Sequence, residues 1–202
     1  MRQRPAAIET LSDATTVDED TGAVRSVQRA DLMIDRDALE GIWSATYLER
    51  LARSYWRFLA RVTLGLIRVR YGEESRSVVL IARPLRLLTF HAPEYEVGAA
   101  RGLVRWRIAR GVLVAKRGRG RGYLQIEVSR GPDDGGPRLP LHVEVEVANF
   151  YPAIASGLSL RLYNITQSRI HVIVTYGFLR SLVRRDLPRS RVGRFAAAQS
   201  PD

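Results

Sequence analysis

An α+β fold, a curved antiparallel sheet of six or seven strands covered by helices, is what this sequence predicts, and three observations predict it. Apolar residues recur at helical spacing through residues 37–59, marking an amphipathic helix. From residue 62 to residue 147 the period changes to two, in short runs separated by Gly, Pro and charged turns. Consecutive strands with such short connections pair antiparallel. After Asn149 helical spacing returns, with Ile154, Leu158, Leu162 and Ile165 on one stripe.

Taken in order, residues 1–30 are polar and acidic, with Asp18-Glu19-Asp20 at their centre. A stretch without periodicity buries too little apolar area to offset the entropy of ordering, so a disordered tail is expected there. Asp35 or Asp37 can cap the first helix, about 37–59, whose stripe is Leu39, Ile42, Trp43, Leu48, Leu51, Ala52, Tyr55, Phe58 and Leu59. Strands are expected at 62–70, 77–82, 85–90, 102–108, 112–115, 123–129 and 141–147. Helices are expected at about 152–167 and 179–185, the second after a run, His171 to Tyr176, of strand-like composition. The domain then spans 31–186, and residues 187–202 form a basic, flexible tail.

Cysteine is absent, which removes disulfides, thiolate metal sites and cysteine nucleophiles together. Met1-Arg2-Gln3-Arg4 has the charge of a secretory signal, but no apolar run follows it. Arg68 and Gly177 interrupt the longest apolar runs, which fall short of the roughly 20 residues needed to span a bilayer. The expectation is a cytoplasmic protein, with a peripheral place on the inner membrane surface as its variant.

Net charge is +11, and Lys116 is the one lysine, so the arginine bias owes as much to a GC-rich coding sequence as to guanidinium chemistry. Its distribution says more. Residues 1–40 hold nine acids against five arginines, and residues 41–202 hold 27 bases against twelve acids. Such a field favours polyanions: nucleic acid, anionic lipid or a phosphorylated ligand.

The order of helix, antiparallel meander and helix resembles the START-like or Bet v 1-like helix-grip superfamily over roughly residues 31–168. A short first strand, here 32–34, leads into helical cover, a curved sheet and a closing helix. The resemblance lies in element order and carries no residue motif, and the long 37–59 helix and the segment 170–185 depart from it. It implies a cavity between sheet and closing helix for an apolar or amphipathic molecule, and in some members a cyclisation. Trp106, Tyr151, Leu158, Tyr163 and His171 are the residues expected to line that cavity.

Four constellations invite chemistry. His142-Val143-Glu144-Val145-Glu146 puts one histidine and two carboxylates on one face of a strand, a set able to hold a divalent cation or move protons. Because Val143 and Val145 form the opposite, apolar face, the simpler reading turns the polar set to solvent, paired with Arg105 and Arg107. His91 and Pro93-Glu94-Tyr95-Glu96 offer an acid–base pair, or an ordinary hairpin loop. Lys116, Arg117, Arg119 and Arg121 alternate with glycine, which suits phosphate and suits a hairpin turn better. Arg180, Arg184 and Arg185, with Arg189, Arg191 and Arg194 beyond them, make a basic end with sparse aromatics, unlike a reader of single strands.

Neither a nucleophile elbow nor an HExxH occurs, and no cofactor or metal is implied. Trp43, Trp56 and Trp106 fit core anchors better than a stacking platform. Three readings stay open. The first is a binding domain for an apolar or amphipathic small molecule. The second is a basic adaptor docking on nucleic acid or anionic membrane through Lys116, Arg117, Arg119, Arg121, Arg180, Arg184 and Arg185. The third is a START-like cyclase or hydrolase using His91, Glu94 or His142.

Overall fold

The alternation that announces strands in the sequence becomes one antiparallel sheet in the computed structural model, which describes residues 6–40, 43–62, 67–71, 75–80, 85–111, 114 and 116–150. Two long strands come first, β1 (Ala6–Val17) and β2 (Val24–Asp35), then two helices, α1 (Arg36–Glu40) and α2 (Ala45–Val62). Seven strands follow: β3 (Ile67–Tyr71), β4 (Ser75–Leu80), β5 (Leu85–His91), β6 (Glu94–Val97), β7 (Arg101–Arg110), β8 (Tyr123–Arg130) and β9 (Arg138–Phe150). Their order in the sheet is β1-β2-β9-β8-β7-β5-β4-β3, with β6 also on β7.

Without β1 and β6, a first strand and two helices lead into a meander of six strands whose last member returns to pair with the first. This is the element order the helix-grip resemblance implies. The expected closing helices, 152–167 and 179–185, and the basic tail 187–202 lie outside the described residues.

Two expectations are corrected. The acidic tail expected over 1–30 is, from residue 6, the β1–β2 hairpin. Its ladder runs from Ala6 opposite Ile34 to Val17 opposite Val24, and the turn between is closed by Thr21 N–H donating to the Asp18 carboxylate and by Gly22 at φ +67°. Residues 11–20 are exposed, so β1 is held by backbone pairing, a force that apolar periodicity does not report.

The single helix of 37–59 is two, because Trp43 and Ser44 leave helical geometry between them. Ser44 precedes the first turn of α2, where a hydroxyl side chain favours a helix start, and its carbonyl accepts from Leu48 N–H at 3.1 Å. Of the strand expected at 112–115, residues 112, 113 and 115 lie outside the described residues. Among the described residues there, Val114 makes an isolated bridge, and residues 116–118 form a 3-10 turn.

β5 and β6 share one edge of β7. Phe90 lies opposite Ile108, Glu94 opposite Arg105, and Ala92-Pro93 between them belong to neither strand. Proline has no N–H to give a ladder, so the strand breaks there and the sheet bends. At the far end of β7, Gly111 (φ +157°) sits where a Cβ would lie 2.1 Å from the Leu87 carbonyl oxygen. Only glycine fits that approach.

One face of the sheet is the core. Ala30, Leu32 and Ile34 of β2 lie opposite Val143, Leu141 and Leu139 of β9, with Val104, Trp106, Ile108, Leu124, Ile126 and Val128 continuing the layer. From α2, Leu48, Leu51, Ala52, Tyr55 and Trp56 are buried against it. Trp56 is the hinge of an aromatic cluster: its ring centroid is 5.3 Å from Trp106, 5.4 Å from Phe90 and 5.4 Å from Tyr55. Edge-on contacts of this kind add about 0.5–1.5 kcal/mol each to the burial itself.

Candidate functional site

Polar atoms buried on a core face are the first place to look for a ligand, because each needs a partner that the protein has not provided. Gln28 stands on the inward side of β2, opposite Val145, and is 3% exposed. Its Nε2 donates to Ser26 Oγ at 3.0 Å, and Ser26 in turn touches Thr15 Oγ1 of β1 at 3.0 Å. Its Oε1 is buried without a hydrogen-bond donor among the described residues. Trp56 Nε1, inside the aromatic cluster, is buried without an acceptor among the described residues; the Thr89 hydroxyl, also without a described partner, belongs to the other face of β5, since its neighbour Phe90 is the one in the core. The inward face is thus apolar, with a few polar points left over.

Trp106, expected to line a cavity, is 2% exposed and fully engaged with Trp56. Its reading as a core anchor is the one the packing supports. Tyr151, Leu158, Tyr163 and His171 lie outside the described residues. Glu49, a charged residue between the apolar positions of the first helix, is 1% exposed on α2 and 3.9 Å from Arg53, and Ser54 is also buried, its hydroxyl donating to the Arg50 carbonyl. Gln28 was missed because it falls in the stretch whose acidity hid a strand.

The outer face carries the strand constellation. His142, Glu144 and Glu146 do turn away from the buried Val143 and Val145, as the period-two pattern requires. Their partners differ from those expected, because β8 separates β9 from β7. Glu144 accepts from Arg29 Nε at 2.7 Å, and Glu146 from Arg25 Nε at 2.7 Å and from Tyr123 O–H at 3.1 Å. Arg107 donates to Glu94 at 2.7 Å, while Arg105 donates to Gln125 and lies over the Tyr123 ring. Burial, with the Glu146 charge behind it, pushes the Tyr123 hydroxyl above its ordinary range.

His142 Nδ1 is 2.7 Å from Asp31, which also accepts from Thr10. These two bonds hold the Asp31 carboxyl below its usual value. Among the described residues no group of three or more His, Asp or Glu side chains could hold a metal ion. Glu94, in place of a loop, opens strand β6 and is held low by Arg107, and His91 is exposed. His142 and Glu94, offered as alternatives for acid–base work, stand apart, since β7 and β8 separate them.

The glycine–arginine run is a 3-10 turn and a reverse turn. The amides of Arg119, Gly120 and Arg121 bond to the carbonyls of Lys116, Ile108 and Gly118. A phosphate cradle needs free amides, so what the run offers an anion is side-chain charge. Lys116, Arg119 and Arg121 are exposed. Nothing is described of the Arg117 side chain, and Arg180, Arg184 and Arg185 lie outside the described residues. No described helix is long and apolar enough to cross a membrane.

No protein-family model matches the chain, and no curated protein does. Solved structures do. CalU16 from Micromonospora echinospora, determined in solution, is 12% identical with a TM-score of 0.32 over 95% of this chain and 82% of that one. Human STARD10 is 9% identical with a TM-score of 0.34 over 94% and 82%. A protein from Rhizobium leguminosarum is 14% identical with a TM-score of 0.26 over 80% and 98%. Likenesses this distant carry no argument about activity or ligand, which is left to the chain's own residues.

Proposed function

We propose that the protein binds an apolar or amphipathic small molecule against the inward face of the sheet. The observation that carries this reading is the Gln28 carboxamide, whose Oε1 is buried without a donor among the described residues on a largely apolar face. Leaving such an acceptor unsatisfied costs about 1–3 kcal/mol, and a ligand hydroxyl or amide N–H would remove that cost. Trp56 Nε1 offers a carbonyl or ether oxygen the same service from α2. Sites for small molecules have this composition: apolar walls with a few polar groups that fix orientation. The segment beginning at Tyr151 follows β9 directly and is the element proposed to close the cavity.

Native mass spectrometry of the purified protein tests the proposal. A bound apolar species, released by organic extraction, is the expected result. Replacing Gln28 with leucine should weaken rebinding of the extracted species about tenfold, the equivalent of one hydrogen bond, without lowering the melting temperature. An empty wild-type protein whose melting temperature is also unmoved by a series of fatty alcohols would refute it.

A further inference from the structure

The sheet's β3 edge carries a surface unlike the rest of the molecule. Arg70, Arg86, Arg110, Lys116, Arg119 and Arg121 are all exposed, and none makes an ion pair with a described residue. Pairing places several of them side by side. Arg70 is opposite Ser77, Ser77 opposite Thr89, and Thr89 opposite Arg110, while Arg86 lies opposite Val79, two residues along β4 from Ser77. The turn 116–121 is tied to the end of β7 by Gly120 N–H donating to the Ile108 carbonyl. Three strand spacings separate Arg70 from Arg110, about 14 Å. No Asp or Glu occurs in the described residues of β3, β4 and β5, nor in those from 105 to 126. Glu73 and Glu74 fall in the β3–β4 connection, outside the described residues.

We propose that this basic wing docks the protein on an anionic lipid surface. Two features favour lipid over nucleic acid. The charges spread over the breadth of several strands, and diffusing headgroups can gather under any such array, whereas phosphates of a nucleic acid stand in fixed rows. In addition, among the described side chains no exposed aromatic ring stands beside these cations to stack on bases, and their one described helical element, the 3-10 turn 116–118, is too short to enter a groove. Each cation near an anionic leaflet contributes about fivefold in affinity, so six suffice for reversible docking.

The test is cosedimentation of the full chain with vesicles of phosphatidylcholine alone or mixed equally with phosphatidylglycerol, at rising salt, with duplex DNA as competitor. Binding to the mixed vesicles, absent on phosphatidylcholine and declining steeply with salt, is expected. Replacing Arg70, Arg86 and Arg110 with glutamine, or Lys116, Arg119 and Arg121 with glutamine, should weaken it about a hundredfold, and Arg101→Gln should leave it unchanged. Because salt screens the charges of the wild type, the answer does not depend on the variants folding. The proposal fails if binding ignores phosphatidylglycerol or salt, if DNA strips the protein from vesicles at equal phosphate, or if both triple variants bind as wild type does. It fails equally if Arg180→Gln/Arg184→Gln/Arg185→Gln alone abolishes binding while the two wing variants retain it.

Discussion

The β2–β9–β8 half of the sheet and the β3–β4–β5 wing are built on the same alternation, yet they hold their charges in opposite ways. On the first, basic groups meet acids across strands: Arg25 with Glu146, Arg29 with Glu144, Arg101 with Glu127, and Arg138 with Asp35. Arg36 adds a bidentate grip on Asp133 that ties the start of α1 to the β8–β9 loop. On the wing the exposed cations face no described acid. Cross-strand pairing is therefore a property of one region, and net charge alone would have smeared it over the whole chain. Charge that is paired orders neighbouring strands, and charge left unpaired is available to a partner.

Both regions share β7, so the deepest test of the comparison lies beneath it. Trp106→Ala should lower unfolding stability by about 3–5 kcal/mol, as large buried aromatics do, with one cooperative denaturant transition. Two transitions would mean that the wing unfolds by itself, and a loss below about 1 kcal/mol would place the ring outside the core.

Next in size is Glu146, which is 6% exposed and accepts from both Arg25 and Tyr123. Glu146→Ala strands the half-buried Tyr123 hydroxyl and should cost about 1–3 kcal/mol. Glu144→Ala should cost less than about 1 kcal/mol, because its partner Arg29 keeps much of its side chain in water. Equal losses in urea titrations of the two variants would show that burial does not grade the ladder.

How much of this was legible from residues alone divides along physical lines. The core strands, the polar face of His142, Glu144 and Glu146, and the core role of Trp56 and Trp106 follow from alternation, because burial selects side chains one by one. The β1 strand leaves little such trace: from residue 9 to 17 its side chains are exposed, and its stability lies mainly in backbone hydrogen bonds that any sequence can make. Only Thr15-Thr16-Val17 ahead of the Asp18–Gly22 turn hinted at it. The partners of Glu144 and Glu146 depend on which strands are neighbours, and the return of β9 to β2 is a long-range event that local spacing does not encode. Gln28 and Glu49 escaped notice because polar residues are read as solvated unless the fold says otherwise.

Acid should separate the regions further. Asp31 is held below its usual value by His142 and Thr10, Asp133 by Arg36 and the Gly135 amide, and Glu94 by Arg107. A carboxyl depressed in the folded state contributes stability above its unfolded value, and that contribution is lost as pH falls through its folded value. The melting temperature should therefore hold from neutrality down to the ordinary carboxylate range and fall below it. Asp31→Asn combined with Glu94→Gln should flatten that acid limb. A double variant that tracks the wild type through acid would show that these bonds do not differ between folded and unfolded chains.

The smallest effect contrasts one charge reversal on each side. Arg29 lies directly opposite Glu144, with its Nε on that carboxylate. Arg29→Glu removes an attraction and sets two carboxylates face to face, which for cross-strand neighbours is worth up to about 1 kcal/mol. Arg86 sits among cations and opposite Val79, so Arg86→Glu removes repulsion and should leave stability within about 0.5 kcal/mol of wild type, rising slightly at low salt. Salt sharpens the reading, since screening shrinks both effects toward zero over a Debye length of about 10 Å at 0.1 M. Denaturant titrations of both variants at low and high salt should therefore move in opposite directions and converge. Two variants losing stability equally at low salt would mean that Arg86 has an acidic partner after all, and the wing would then be compensated like the rest of the sheet.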